Sequence, residues 1–250
     1  MAVFSGPKSA NTNNLSASLD LANTKNYSGS GTSISSVISG PIFTLSNVDT
    51  YYKVYDLEVA DYGLPNSAPP PLPVYSTASG GTITFDGVNN CLRFSNLSLI
   101  NPILTVEMWA KFSSGYANNI LFGFDRYKIS TETGGLGFST TNNDVIGITS
   151  ATLTTIGVVD AWNHYVFEMR TDVSYTNNKI YINGVSRSLT ATGTELAANR
   201  VFNTYGSIAS WVTAIGYETP MTLSSIKLYN RSLIQDEVLS NYYASRSRFI

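Results

Sequence analysis

Strict alternation of apolar and polar residues over short segments most limits the folds open to this chain. In residues 104–112 the apolar set is Leu104, Val106, Met108, Ala110 and Phe112, and polar or amphipathic residues fill the positions between them. Because side chains alternate across a strand, this pattern predicts a half-buried β-strand. Residues 163–170 repeat the alternation, and residues 179–182 run into Asn183-Gly184, a dipeptide that favours a two-residue hairpin turn.

Further short strands are predicted along the rest of the chain, at residues 82–85, 91–94, 120–124, 145–149, 212–217 and 223–229. Many short strands separated by turn signals predict an all-β chain, folded as a two-sheet antiparallel jelly-roll sandwich. The pattern predicts one short C-terminal helix over residues 233–243. Ser232 would be its N-cap, and Gln235 three residues later completes a capping-box pattern.

Composition divides the chain into three parts. Residues 1–40 are rich in Ser, Asn and Gly and are predicted to form an extended N-terminal arm with a first strand. Residues 41–75 contain a Pro-rich run that cannot donate to a sheet, which indicates a loop or insertion. Residues 76–250 would form the jelly-roll domain. We expect no signal peptide and no membrane insertion, because no apolar run approaches the length that either needs.

Charge and rare residues exclude several function classes. The 15 Lys and Arg against 17 Asp and Glu give a net charge of −2, which argues against a nucleic-acid partner. Cys91 is the only cysteine, so an internal disulfide is impossible and a buried apolar role is expected. His164 is the only histidine, which excludes two-histidine metal sites, and its place in a predicted strand indicates a structural role.

Five segments, taken in order, resemble the concanavalin A-like lectin/glucanase superfamily in its laminin-G-like branch. They are residues 82–87 (TITFDG), 104–111 (LTVEMWAK), 162–166 (WNHYV), 179–184 (KIYING) and 226–233 (IKLYNRSL). The last segment and its continuation over residues 236–242 are similar to the ending of copies found in tailed-bacteriophage structural proteins. The resemblance implies two stacked sheets with a concave surface that relatives use for glycans, although fold alone does not settle function.

From this resemblance we expect a non-enzymatic virion structural protein of a bacteriophage, a capsid decoration, head fibre or tail component with a lectin-like domain. Its expected partners are other virion proteins, held through the N-terminal arm, and a host surface glycan. We also expect a homo-oligomer and assembly in the host cytoplasm. The alternatives are a carbohydrate-binding tail adhesin and, third, a glycan-cleaving hydrolase.

The hydrolase alternative has little support among the acidic residues. Glucanases of this superfamily carry two glutamates around an aspartate on one strand, since cleavage needs a paired acid and nucleophile. The nearest match is Asp56, Glu58 and Asp61, which swaps the acid types and precedes the Pro-rich run instead of lying on the expected strand. No residue is therefore assigned a catalytic role.

Sugar binding uses aromatic faces beside polar side chains, and five residues at predicted strand ends offer them: Tyr116, Asp125, Arg126, Tyr127 and Trp211. Related domains bind calcium through oxygen ligands at a rim, for which the candidates are Asp125, Asn142, Asn143 and Asp144. A simple turn at the Asn-Asn-Asp run is the favoured interpretation. We therefore expect no metal or other cofactor, with calcium as the open alternative.

Overall fold

The computed structural model of the chain describes residues 12–38, 40–47, 72–132, 135–140 and 144–250. Within these ranges the chain forms two antiparallel sheets and two α-helices. Most of the Pro-rich run and the acidic segment 56–61, both within the predicted loop or insertion, lie outside the described residues. Neither described helix is long and apolar enough to cross a membrane.

Sheet A contains eight strands. In order across the sheet they are β14 (Val185–Ser186), β13 (Lys179–Ile182), β12 (Asn163–Arg170), β7 (Ile103–Phe112), β17 (Met221–Tyr229), β5 (Thr82–Phe85) and β4 (Val74–Ser76), with β1 (Leu15–Asp20) on β17. The hairpin between β13 and β14 is confirmed: Asn183 and Gly184 both have positive φ, at 55° and 79°, as a type I′ turn requires.

Sheet B contains nine strands. In order they are β15 (Thr190–Thr192), β11 (Val145–Ile148), β10 (Leu136–Ser139), β9 (Lys128–Ser130), β8 (Ile120–Gly123), β16 (Gly206–Ile208), β6 (Asn90–Ser95), β3 (Ile42–Asn47) and β2 (Ser33–Ser35). The apolar faces of the two sheets meet in one core, where Phe138 of β10 packs edge-on against Phe167 of β12 at 6.3 Å. The two-sheet antiparallel sandwich is thus confirmed.

The outer face of sheet A is also buried, which the alternating pattern of β7 does not predict. Helix α2 (Gln235–Ser245) lies over this face, and the indole nitrogen of Trp109 donates to Ser245 Oγ at 2.7 Å. Burial on both faces is typical of a strand at the centre of a covered sheet. Cys91 is fully buried on sheet B, as expected from its lone occurrence.

Three local predictions are wrong. A second helix, α1 (Ser150–Ile156), was not expected, because its threonines favour strands; Thr149 caps it and Gly157 ends it with φ of 76°. Residues 212–217 form no strand, and the strand that precedes them, β16, ends at Ile208. Helix α2 begins after Ile234 and not after Ser232, since Glu237 accepts the Ile234 backbone N–H at 3.0 Å.

The N-terminal part of the chain belongs to the sandwich itself. Strand β1 pairs with the central strand β17, and β3 pairs along its whole length with β6. Among the described residues the sandwich therefore includes strands on both sides of the expected boundary at residue 40. Residues 1–11, the first part of the predicted arm, lie outside the described residues.

Candidate functional site

The outer face of sheet B carries a row of polar residues directly opposite one another on neighbouring strands. In order, the row is Arg93, Ser207, Gly123, Lys128 and Ser139, all polar except Gly123. The adjacent residues in each strand, such as Ile129 and Phe138, are in the core. Because side chains alternate across strands, the row must point away from the core. The loops at the β8–β9 turn and after β16 border this row, and we call this region the polar face.

Trp211 stands at the centre of the polar face and is held on three sides. Its indole nitrogen donates to the backbone oxygen of Asp125 at 2.8 Å, and Tyr217 packs edge-on against its ring at 5.2 Å. The Lys128 ammonium lies 3.8 Å from the ring centroid, a cation–π contact. Trp211 is half-buried, so part of a rigidly held aromatic surface remains open to solvent.

Arg126 is the exposed charge beside this aromatic surface. Its side chain is 66% exposed, and its Nε lies 3.6 Å from Asp125 Oδ2. Its Nη1 donates to Asn199 Oδ1 at 3.3 Å. These contacts orient the guanidinium while leaving most of its surface accessible, so it can still donate to a ligand.

Lys128 links the aromatic part of the face to a buried acidic part. Its side chain is 1% exposed, and its Nζ lies 3.7 Å from Glu132 Oε1. Burial lowers the pKa of Lys128, while the carboxylates of Glu132, Asp144 and Asp125 act in the opposite direction. The ammonium is therefore an internal counter-ion for these acids.

Glu132 and Asp144 share the hydroxyl of Ser139 as a partner. Ser139 Oγ lies 2.7 Å from Glu132 Oε2 and 3.2 Å from Asp144 Oδ1. Asp144 also accepts from the backbone and the hydroxyl of Thr140. Both carboxylates are buried and have their oxygen atoms occupied by protein donors, as buried charges require.

The structure brings together three of the five residues predicted for sugar binding: Asp125, Arg126 and Trp211. The expectation for Tyr127 is corrected, because its side chain has no exposed surface and its hydroxyl accepts from Asn178 Nδ2 at 2.5 Å. Burial also raises the pKa of Tyr127. A residue beside a turn is expected to be exposed, but this ring points inward from the β8–β9 turn.

Tyr116 lies apart from the other candidates. It is half-buried and stacks on Phe112 at 5.4 Å. Its backbone oxygen accepts from Thr131, at the end of the β8–β9 hairpin opposite the turn that carries Asp125. Tyr116 is therefore not part of the polar face around Trp211.

The calcium candidates are only partly described. Asp125 and Asp144 are placed as above, and Asn142 and Asn143 lie outside the described residues. Among the residues that are described, no three His, Cys, Asp or Glu side chains come together as a metal site. The positive charge of Lys128 already balances the carboxylates of Asp125 and Asp144.

Sequence reasoning missed Lys128, Glu132, Ser139 and Tyr217 in this site. The only local signal is that the polar residues Lys128 and Ser130 flank the apolar Ile129. Such a short segment carries too few residues for its periodicity to stand out. The single histidine, His164, is fully buried in sheet A, with Nε2 3.3 Å from Glu107 Oε1, consistent with its predicted structural role.

These features define a lectin-like jelly roll, and comparison with known proteins places it in a family. The family model described as "Concanavalin A-like lectin/glucanases superfamily" matches residues 86–239. This chain belongs to that superfamily, in its laminin-G-like branch. Among curated protein sequences, none matches the chain.

Several solved structures share the fold at low sequence identity. Domain 4 of the Geobacillus stearothermophilus arabinanase AbnA, in complex with arabinotriose, has a TM-score of 0.54 at 14% identity and covers 91% of this chain and 97% of its own. Trypanosoma rangeli sialidase, in complex with 2,3-difluorosialic acid, has a TM-score of 0.56 at 12% identity over 96% of this chain. The receptor binding domain of botulinum neurotoxin C/D mosaic serotype has a TM-score of 0.55 at 10% identity over 92% of this chain.

The chain corresponds to only part of two of these proteins. It spans 51% of the toxin domain and 34% of the sialidase. At these identities the likeness shows the shared sandwich and nothing finer. Two of the three structures hold a sugar ligand, arabinotriose with the arabinanase domain and 2,3-difluorosialic acid with the sialidase.

Proposed function

We propose that this protein binds glycans through the polar face of sheet B and that it is not an enzyme. The observation that carries the proposal is Trp211, a partly open aromatic ring fixed by Asp125, Lys128 and Tyr217 beside the exposed Arg126. Sugars present apolar C–H faces and hydroxyl groups, so a rigid ring next to hydrogen-bond donors and acceptors suits them.

The state of the acidic residues supports binding without cleavage. Glycoside hydrolysis uses two carboxyl groups that reach the scissile bond from either side. Glu132 and Asp144 are buried and already bonded to Ser139 and Thr140. The acidic segment around Glu58 lies outside the described residues, so the hydrolase remains the alternative that the assays below address.

We further propose that the glycan-binding module is a structural component of a tailed-bacteriophage virion, on the capsid or the tail. This step rests on the sequence resemblance of residues 226–242, which include the end of β17 and most of α2. The N-terminal residues would attach it to other virion proteins. Exposed edge strands such as β15, whose three residues are all exposed, suit a homo-oligomer. Its place of assembly would be the host cytoplasm.

A glycan array with the purified protein tests the binding proposal. We expect binding that Trp211→Ala reduces at least about tenfold, since stacking on an aromatic anchor dominates such sites. Trp162→Ala is the matched control, because Trp162 is also half-buried but packs on Phe249 and interacts with Lys111 of sheet A. Absence of binding at saturating protein, or equal loss in both variants, would overturn the proposal.

Two further assays separate the alternatives. Release of reducing ends from a bound glycan, abolished by Glu58→Gln, would establish the hydrolase in place of the binding module. Imaging of intact phage particles at side-chain resolution tests the virion proposal. Density for this chain in symmetric copies on head or tail is expected, and a monomer that associates with no particle would contradict it.

A further inference from the structure

A second row of residues on the outer face of sheet B has almost no side chains. Ser130, Gly137, Gly147 and Thr190 are directly opposite one another on β9, β10, β11 and β15. Their neighbours Ile129, Phe138 and Ile146 are in the core, so this row faces outward on the same side as Lys128.

The two glycines are required by the close approach of β10 and β11. A Cβ atom on Gly147 would overlap the carbonyl oxygen of Leu136, and one on Gly137 would overlap that of Ile146. The outer face of sheet B is therefore bare backbone at Gly137 and Gly147, and side chains project only from the residues around them.

A hollow with a volume of about 130 Å³ opens over Gly147. Its buried part is formed by Val145, Gly147 and Ile148, and its exposed rim by Thr149, Thr190 and Thr192. All of the residues that line it are uncharged. An apolar base with a hydroxyl rim favours a neutral ligand that has both an apolar group and polar groups.

Ser130, at the inner end of this row and outside the lining of the hollow, carries a buried hydroxyl that needs a partner. Its side chain is fully buried, and its Oγ has no hydrogen-bond partner among the described residues. Buried hydroxyls are nearly always partnered, by protein or by ordered water. A water molecule over Gly137 would hydrogen-bond the Ser130 hydroxyl. The same water would then bridge Ser130 to a ligand in the hollow.

We propose that the hollow binds a methyl-bearing substituent of a neutral sugar, an acetamido group or a 6-deoxy methyl group. The hollow is open to solvent, and its volume of about 130 Å³ has room for a methyl group and the ring edge that carries it. This inference rests on the proposed function, and it adds that the bound glycan contains an N-acetylhexosamine or a 6-deoxyhexose.

Titration calorimetry with matched sugars tests the hollow. N-acetylglucosamine against glucose, and L-rhamnose against L-mannose, differ only in these substituents, and the two pairs distinguish the acetamido from the 6-deoxy source. We expect at least about a tenfold preference for the methyl-bearing member of one pair, as one buried methyl group can provide. Equal affinity within both pairs would overturn the inference.

Three variants test whether the preference for the methyl-bearing sugar arises at the hollow. Thr190→Phe, at an exposed position on β15, should fill the hollow and remove the preference. Thr84→Phe makes the same change at an exposed position of sheet A and should leave the preference intact. Ser130→Ala should weaken binding of the preferred sugar without lowering the melting temperature; a change in stability alone would contradict a ligand role for Ser130.

The outcomes also separate this inference from the proposed function. Glycan binding that depends on Trp211 but shows no methyl preference would refute the hollow and leave the polar face in place. A preference that survives Thr190→Phe would likewise refute the hollow. No binding of any sugar by the wild-type protein would refute both.

Discussion

The outer faces of the two sheets both bury charged groups, but they differ in what covers them. On sheet A, Glu107 is bonded to Lys227 at 2.8 Å and to Asn241 of helix α2 at 2.5 Å. On sheet B, Lys128 is covered by Trp211, whose own ring is half-buried. The same alternating strands thus give a face closed by a helix and a face bordered by loops.

The difference shows how one sandwich can separate stability from binding. Helix α2 supplies a fixed partner to Glu107, and the carboxylate itself is buried. The loops of sheet B supply partners to the acids but leave Arg126 and part of Trp211 exposed. Binding residues are commonly placed on loops that a rigid scaffold positions.

The largest expected effect is on the closed face. Glu107→Ala should lower the free energy of unfolding by about 3–5 kcal/mol, because it leaves Lys227 and the polar groups around it without their buried anion. Burial would raise the pKa of Glu107, but Lys227 and His164 lower it well below its ordinary value. Denaturant unfolding measures the change.

Asp172→Ala is the control for that prediction, since Asp172 pairs with Arg170 at the surface. We expect its unfolding midpoint to stay close to that of the wild type. Equal midpoints for Glu107→Ala and Asp172→Ala would remove the distinction between a closed, stabilising face and an ordinary surface.

The next effect concerns the open face. Gly137→Ala should lower the free energy of unfolding by about 1–3 kcal/mol, because the added Cβ overlaps backbone of β11. Gly115→Ala is the control: nothing lies within 4 Å of its Cβ, and only its φ of 87° opposes the change. A smaller loss at Gly137 than at Gly115 would show that β10 and β11 can separate freely.

A third prediction concerns the charge balance of the open face. Lys128→Ala removes the ammonium beside Glu132 and Asp144, so two buried carboxylates lose their cation. Calcium prefers such oxygen ligands and should then stabilise the variant by about 1.4 kcal/mol when its free concentration is about ten times the Kd. Thermal unfolding with calcium or with chelator measures this.

The wild type and the double variant Lys128→Ala/Glu132→Gln are the comparisons for the calcium experiment. Both should respond less than Lys128→Ala, the first because the ammonium is present and the second because a carboxylate is lost. A wild-type response as large as that of Lys128→Ala would instead favour a native calcium site that includes Asp125 and Asp144.

The strands that dominate the sandwich could be predicted because their residues alternate over enough length. The pattern at residues 104–112 and the Asn183-Gly184 turn are local signals, and both are confirmed. Strand β3 and the pairing of β1 with β17 could not be predicted, because they depend on partners far away in sequence. Helix α1 was missed since its threonines favour strands until Thr149 and Gly157 fix its ends.

The candidate site was predictable only as a set of residue types. Asp125, Arg126 and Trp211 were singled out as polar and aromatic residues at predicted strand ends, and the structure brings them together. The direction of a side chain at a turn is set by tertiary packing, which is why Tyr127 points into the core. The bare row over Gly137 and Gly147 needs the strand register and could not be predicted from the sequence.

The smallest expected effect is a pH dependence at Glu218, under the loop that carries Trp211. Burial raises the pKa of Glu218 above its ordinary value of 4.5, against the opposing effects of backbone N–H groups and Arg93. The folded state therefore favours the protonated carboxyl. Its stabilising contribution is full below pH 4.5 and is lost as the pH rises through the raised pKa.

Glu218→Gln should remove this dependence, because an amide stays neutral and its oxygen can still accept from the Gly216 backbone N–H. The melting temperature of the variant relative to the wild type should rise as the pH increases above 4.5. Glu107→Gln should show the opposite trend in a lower pH window. Relative to the wild type, its melting temperature should fall as the pH rises toward 4.5 and then stay level, because the lowered pKa of Glu107 makes its ionised form stabilising. If the melting temperatures of both variants, relative to the wild type, changed with pH in the same way, the two faces would not differ in whether they stabilise a neutral or an ionised carboxyl.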